Sequence, residues 1–122
     1  MSSDLTIDAV RLALSVQEMQ ARVASINVAN ATRPDARALR ADFSATQAML
    51  SDAAQAPSYG VGAQLVQANV DIRAQSVETT TDPIQVDEQI GDMVTASTTY
   101  QSLSETLSRY FGLMRLAVAG RN

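Results

Sequence analysis

Arginine and carboxylate are the only charged side chains in this 122-residue chain, nine against 13, and that alone narrows the chemistry open to it. It has no His, Cys or Lys. Imidazole metal sites, thiol chemistry, disulfides and Ser-His or Cys-His nucleophilic pairs are therefore excluded. An enzyme would have to rest on Arg and carboxylates, and no paired carboxylates or Gly-rich phosphate loop stand at an informative spacing. No catalytic residue, metal ligand, cofactor or small-molecule substrate is expected. The net charge is −4, and the Arg (Arg11, Arg22, Arg33, Arg37, Arg40, Arg73, Arg109, Arg115, Arg121) are spread out, with only a modest Arg33/Arg37/Arg40 group. A nucleic-acid footprint needs clustered cations to displace counterions from phosphates, so nucleic acid is not an expected partner.

With little reactive chemistry, the information lies in the elements. The length suits one domain. No run of 18 or more apolar residues occurs, so no membrane-spanning helix is expected. Met1-Ser2-Ser3-Asp4 carries an acid where a secretory signal carries Lys or Arg, so no cleaved signal peptide is expected and the residues alone predict a cytoplasmic protein.

Two long helical segments at the ends of the chain dominate the pattern. Leu5, Ala9, Leu12, Val16, Met19, Val23 and Ile26 recur at alternating spacings of four and three, a heptad seam. Ile7, Val10, Leu14, Ala21, Ala24 and Val28 form a second stripe, about 150° away at 100° per residue. Ser3 or Asp4 suits an N-cap. From Asp4 to Ala29 the helix would be a rod of about 40 Å. Two apolar faces demand two partners. Either this is the central helix of a bundle formed by its own chain, or the second stripe meets a neighbouring subunit; the second is expected, because the rest of the chain offers only one other long helix.

The C-terminal segment begins at Asp82-Pro83-Ile84-Gln85, with an acid to cap, Pro at the first helical position and Gln at the third. Val86, Ile90, Met93, Ser97, Tyr100, Ser104, Leu107, Phe111, Met114 and Val118 again alternate four and three. Gly91 and Gly112 each lower helicity by roughly 1 kcal/mol relative to Ala. The last turns, Tyr110 to Ala119, are apolar on nearly every face, a surface expected to be buried between subunits.

Between these segments, Asn27 to Pro34 holds two Asn, a Thr and a Pro, so the first helix should stop near Asn30. Asp42 to Ala54 reads as a short Ala-rich helix containing Phe43, Met49 and Leu50. Pro57-Ser58-Tyr59-Gly60 breaks the chain. Val66, Ala68, Val70, Ile72 and Ala74 alternate with polar residues, the period of a strand, with Tyr59–Ala63 or Ser76–Thr80 as its partner in a two-stranded ribbon. Gln75 to Asp82 reads as a polar linker.

The stretch Ala24 to Phe43 resembles the N-terminal signature of the flagellar rod, hook and hook-filament junction proteins, a helix ending in an S-N-I-A-N-x-x-T-P-G-Y-type turn. Asn27-Val28-Ala29-Asn30 falls on N-I-A-N, Pro34 on the proline, Arg37 on the following basic residue, and Asp42-Phe43 on the D-F of short rod proteins; Arg33, Asp35 and Ala36 replace the family's Thr, Gly and Tyr. Ile84 to Gln101, with its acidic start and Tyr100-Gln101, is similar to the C-terminal helix of rod proteins. Leu107 to Arg115 looks like the ending of the FlgB-type proximal rod protein, and Met93 to Gln101 is equally close to the FlgC type.

The resemblance implies a mainly α fold: long N- and C-terminal helices (4–30 and 83–119) paired as an elongated antiparallel coiled unit, with a small middle segment (31–82) holding a short helix and a two-stranded ribbon. Leu5, Leu12, Val16, Met19, Val23 and Ile26 would form an intrachain seam with Ile90, Met93, Tyr100, Leu107, Phe111 and Met114. Val10, Leu14, Ala21, Val28, Leu113, Leu116 and Val118 would face neighbouring subunits. It implies a structural subunit of the flagellar basal-body rod that transmits torque. The implied partners are other rod proteins, the rod-to-MS-ring adaptor, the MS-ring protein and the flagellar type III export apparatus. It also places the chain in the periplasmic rod, exported without a cleaved signal, in place of the cytoplasm. A small helical adaptor or chaperone of a type III secretion system is the alternative.

Overall fold

The computed structural model describes residues 3–55, 60–74 and 78–120, with the side chains of residues 3, 4, 73 and 74 left aside. Four helices and two strands follow in the order α1 (Ser3–Asn30), β1 (Arg37–Arg40), α2 (Ser44–Gln55), α3 (Val61–Ala74), β2 (Glu78–Pro83) and α4 (Val86–Ala119). The fold is mainly helical, with long terminal helices packed on each other and a small antiparallel ribbon in the middle. The side chains of the expected cap, Ser3 or Asp4, and the break at Pro57-Ser58-Tyr59 lie outside the described residues.

α1 is a single unbroken helix of 28 residues, about 42 Å long. Its seam residues Leu5, Leu12, Val16, Met19 and Val23 are all buried. What covers Leu5, Leu12, Val16 and Met19 is the middle of the chain. Leu5 and Leu12 form one cluster with Ala53 of α2 and Leu65 of α3, flanked by Met49, Leu50, Val61 and Ala68. Val16 and Met19 form a second with Phe43 and Ile72. Neither cluster contains a residue of α4, so the expected intrachain seam is corrected: α2 and α3, not α4, take that face of α1.

The Val66–Ala74 strand is also corrected. Those residues lie in helix α3, where Leu65 and Ile72 are buried with Ala68 half-buried between them, a helical row at spacings of three and four. Val66 and Val70, which suggested alternation, are more than half exposed. Period two appeared because small and polar residues fill the gaps of a short helical stripe, and burial against α1 decides between the two periods. Gly60, at φ +90°, starts this helix from a conformation that L side chains rarely adopt.

The contacts fix the directions. Leu65 sits with Leu5 and Leu12, Asn69 accepts a hydrogen bond from Ser15, and Ile72 sits with Val16 and Met19, so α3 runs parallel to α1. Phe43, which precedes α2, meets Val16 and Met19, while Ala53 near its end meets Leu5 and Leu12, so α2 runs the other way. The chain therefore goes up, down, up and down. With Ile72 beside Val16 and Met19, α3 stops short of the end of α1, and the ribbon lies along the stretch of α1 beyond it, where Leu39 meets Asn27.

The ribbon is real but its strands are not the expected ones. β1 pairs antiparallel with β2, Leu39 opposite Thr79 and Arg40 opposite Glu78, with an irregularity between Arg37 and Leu39. The Thr80 hydroxyl donates to the Ala38 carbonyl at 2.8 Å across this gap. β2 runs to Pro83 through what reads as a linker, overlapping only the end of Ser76–Thr80. As Pro83 belongs to the ribbon, α4 begins at Val86 with Gln85 as its cap residue, and no side chain caps it. The Asp82-Pro83 helix start is thus corrected by strand pairing.

Candidate functional site

Asn27, the first residue of the N-I-A-N element, is where three elements meet. Its side chain is 1 % exposed and fully hydrogen-bonded. Its Oδ1 accepts the Leu39 backbone N–H at 2.8 Å, and its Nδ2 donates to the Leu39 carbonyl at 3.0 Å and to Gln89 Oε1 at 2.9 Å. The amide acts as one residue of an absent third strand. It closes the outer edge of β1, whose N–H and C=O would otherwise be unpaired, and ties the end of α1 to the start of α4. The sequence groups Asn27 with the turn motif at the end of a helix that stops near Asn30, and it does lie in the last turn of α1; it stands on neither apolar stripe, so spacing does not mark it as buried.

The other motif residues divide. Phe43 is core, and the Asp42 carboxylate accepts the Ser44 N–H at 3.0 Å in an Asx turn that opens α2. That backbone hydrogen bond holds the Asp42 carboxyl below its ordinary value, with the Ser44 side chain and nearby Arg40 acting the same way. Asn30 ends α1, and Ala29 and Pro34 are exposed. Successive turn bonds, Ala31 N–H to Val28 O and Arg33 N–H to Asn30 O, carry the chain out of the helix. No described non-glycine residue has positive φ, so the turn through Asp35 is made without left-handed backbone.

The Asn27–Gln89 bond also sets the rotation of α4. α1 and α4 form the largest helix pair, and joining the end of one to the start of the other makes them antiparallel. With Gln89 turned inward to reach a buried amide, its neighbour Ile90 must point out. The row of α4 that is covered runs Gln89, Met93, Ala96, Leu103, Leu107, Tyr110 and Met114, and only Ala96 is fully buried. Of the expected seam, Met93, Leu107 and Met114 are on this row. Ile90, Tyr100 and Phe111 are exposed, as is Ile26 on α1. The seam is thus corrected by one residue from Ile90, Ser97 and Phe111 to Gln89, Ala96 and Tyr110, while Met93, Leu107 and Met114 keep their place, because burying an amide without a partner costs more than exposing an Ile.

Among the residues expected to face other subunits, Val10, Leu14, Ala21 and Val28 are half-buried. Leu113, Leu116 and Val118 are 65, 69 and 68 % exposed. α4 packs on no helix but α1 among the described residues. From Asn27 to Ser3 is the same number of residues as from Gln89 to Leu113, so at equal rise the last turn and a half of α4 reaches past α1 altogether. Beside the clasp, a groove of about 480 Å³ lies between α1, the ribbon and α4, lined by Gln20, Arg40, Phe43, Asp82, Glu88 and Asp92 among others.

No described helix is long and apolar enough to cross a membrane. No family model, curated protein or solved structure matches this chain.

Proposed function

We propose that this chain is a structural subunit of the bacterial flagellar basal-body rod, assembling with copies of itself and with other rod proteins through its terminal helices to transmit torque. The observation that carries the reading is the apolar tip of α4, with Leu113, Leu116 and Val118 about two-thirds exposed among the described residues and no described helix but α1 packed on α4. Large apolar side chains left exposed together at one end of a helix suit a protein interface. The resemblance of Ala24–Phe43, Ile84–Gln101 and Leu107–Arg115 to rod proteins, in the right order, points to the family. On this reading the partners are other rod proteins, the rod-to-MS-ring adaptor, the MS-ring protein and the export apparatus, and the site of action is the periplasmic rod. Packing does the mechanical work and no catalytic group is required. The test is complementation of a strain lacking the protein with Leu113→Glu/Leu116→Glu. Loss of swimming and of rods at normal protein level is expected; normal swimming would sink the reading.

A second reading, a small helical adaptor or chaperone of a type III secretion system, draws on one observation: α1 already has its main stripe covered by α2 and α3, so the chain has a core of its own. Far-ultraviolet circular dichroism of the isolated chain separates the two. An adaptor is cooperatively folded alone, whereas a rod subunit has poorly ordered ends until assembled.

A further inference from the structure

The exposed apolar residues of α4 fall into two sets, each with its own charge. Near the start, Val86, Ile90 and Val94 are 39, 47 and 60 % exposed and follow one another at a spacing of four. Near the end stand Leu113, Leu116 and Val118. Asp82, Asp87, Glu88 and Asp92 accompany the first set, with no base before Arg109. Arg109, Arg115 and Arg121 accompany the second, with no acid after Glu105. Acids in the first turn also suit the helix dipole, but the dipole does not explain the match in spacing. Asp87, Ile90 and Val94 share one helix face, and Arg109, Leu113 and Leu116 share another, both turned away from α1. Read in chain direction, the first is acid, apolar, apolar and the second is base, apolar, apolar. The offsets are nearly constant: 22 positions from Asp87 to Arg109, 23 from Ile90 to Leu113 and 22 from Val94 to Leu116.

We propose that the end of α4 in one copy of this chain seats on the start of α4 in the next, the two helices parallel and staggered by about 22 residues, or roughly 33 Å. This rests on the assembling reading above and names its contact. In the parallel arrangement Arg109 meets Asp87, Leu113 meets Ile90, and Leu116 meets Val94. Laid antiparallel, the same faces set Arg109 on Val94 and Leu116 on Asp87, which leaves charges against apolar groups. The two surfaces differ, so the contact is heterologous and does not close on itself; copies add end to end. Apolar pairs supply the affinity and the Arg–Asp pair the polarity.

Sedimentation velocity of the full chain, as wild type, Ile90→Glu, Leu116→Glu and an equal mixture of the two variants, tests this. Both side chains are exposed, so each variant should keep wild-type helix content by circular dichroism. The wild type is expected to grow with concentration beyond a dimer. Each variant alone should associate roughly ten-fold more weakly or worse. The mixture should stop at a dimer, because the intact start of one variant accepts the intact end of the other and both remaining ends are blocked. A variant that still grows like the wild type, or a mixture that stays monomeric, overturns the head-to-tail contact while wild-type growth keeps the assembling reading standing. A wild type that stays monomeric overturns both.

Discussion

α1 and α4 carry the same kind of sequence, an apolar seam at four-and-three spacing, yet α1 buries eight described residues and α4 buries one. Periodicity does not separate them; packing does. α1 carries α2 and α3 on its stripe and α4 on another side, whereas among the described residues α4 packs on no helix but α1. What is left uncovered on α4 is long, apolar and oppositely charged at its ends. A helix can thus be apolar because it makes the core or because it makes the contact, and the pattern of spacing is common to both.

The largest expected effect sets the two helices directly against each other. Leu12 is fully buried, so Leu12→Ala should lower the stability of the monomer by about 3 kcal/mol through lost burial and an unfilled cavity. Leu113→Ala should change it by less than about 0.5 kcal/mol. Urea titration of both variants, at a concentration where the wild type is monomeric, gives the two numbers. Equal losses would break the distinction between a covered and an uncovered helix.

Next in size is the clasp that fixes the rotation of one helix on the other. Asn27→Ala leaves the Leu39 N–H and carbonyl without their partner and should cost about 2 kcal/mol. Amide hydrogen exchange should quicken at Leu39 and in the first turns of α4 while α3 keeps its protection. Uniform loss across all four helices would mean that Asn27 supports the core generally rather than the ribbon and α4.

The smallest effect sharpens the comparison from the other side. An added Cβ at Gly112 would meet nothing within 4 Å, so Gly112→Ala should raise the helicity and stability of the α4 end by up to about 1 kcal/mol. Thermal unfolding followed at 222 nm measures it. A destabilised monomer would show that this end is already packed against the rest of the chain.

Much of the fold was legible before any coordinates. Both terminal helices, the stop near Asn30, the short helix after Asp42 and the burial of Leu5 through Val23 follow from spacing and from turn residues. α3 was not legible, because a short helix with a row as sparse as Leu65, Ala68 and Ile72 also satisfies a period of two. Nor was β1, four residues whose pairing depends on β2 more than 35 positions away. The site was half legible: the exposed tip follows from an apolar run with one charge, while the outward turn of Ile90 depends on a hydrogen bond between Asn27 and Gln89.

The sequence by itself determined that this chain would be helical at both ends and would carry more apolar helix surface than one pair of helices can cover, since periodicity is a local property that survives any packing. Only the tertiary structure decided which surface is covered. α2 and α3 cover the α1 seam with Ala53, Leu65 and Ile72, and Gln89 turns inward because a buried amide requires a partner while an Ile on the surface does not. The residue faces left over, Val86 to Val94 and Leu113 to Val118, are the product of that competition.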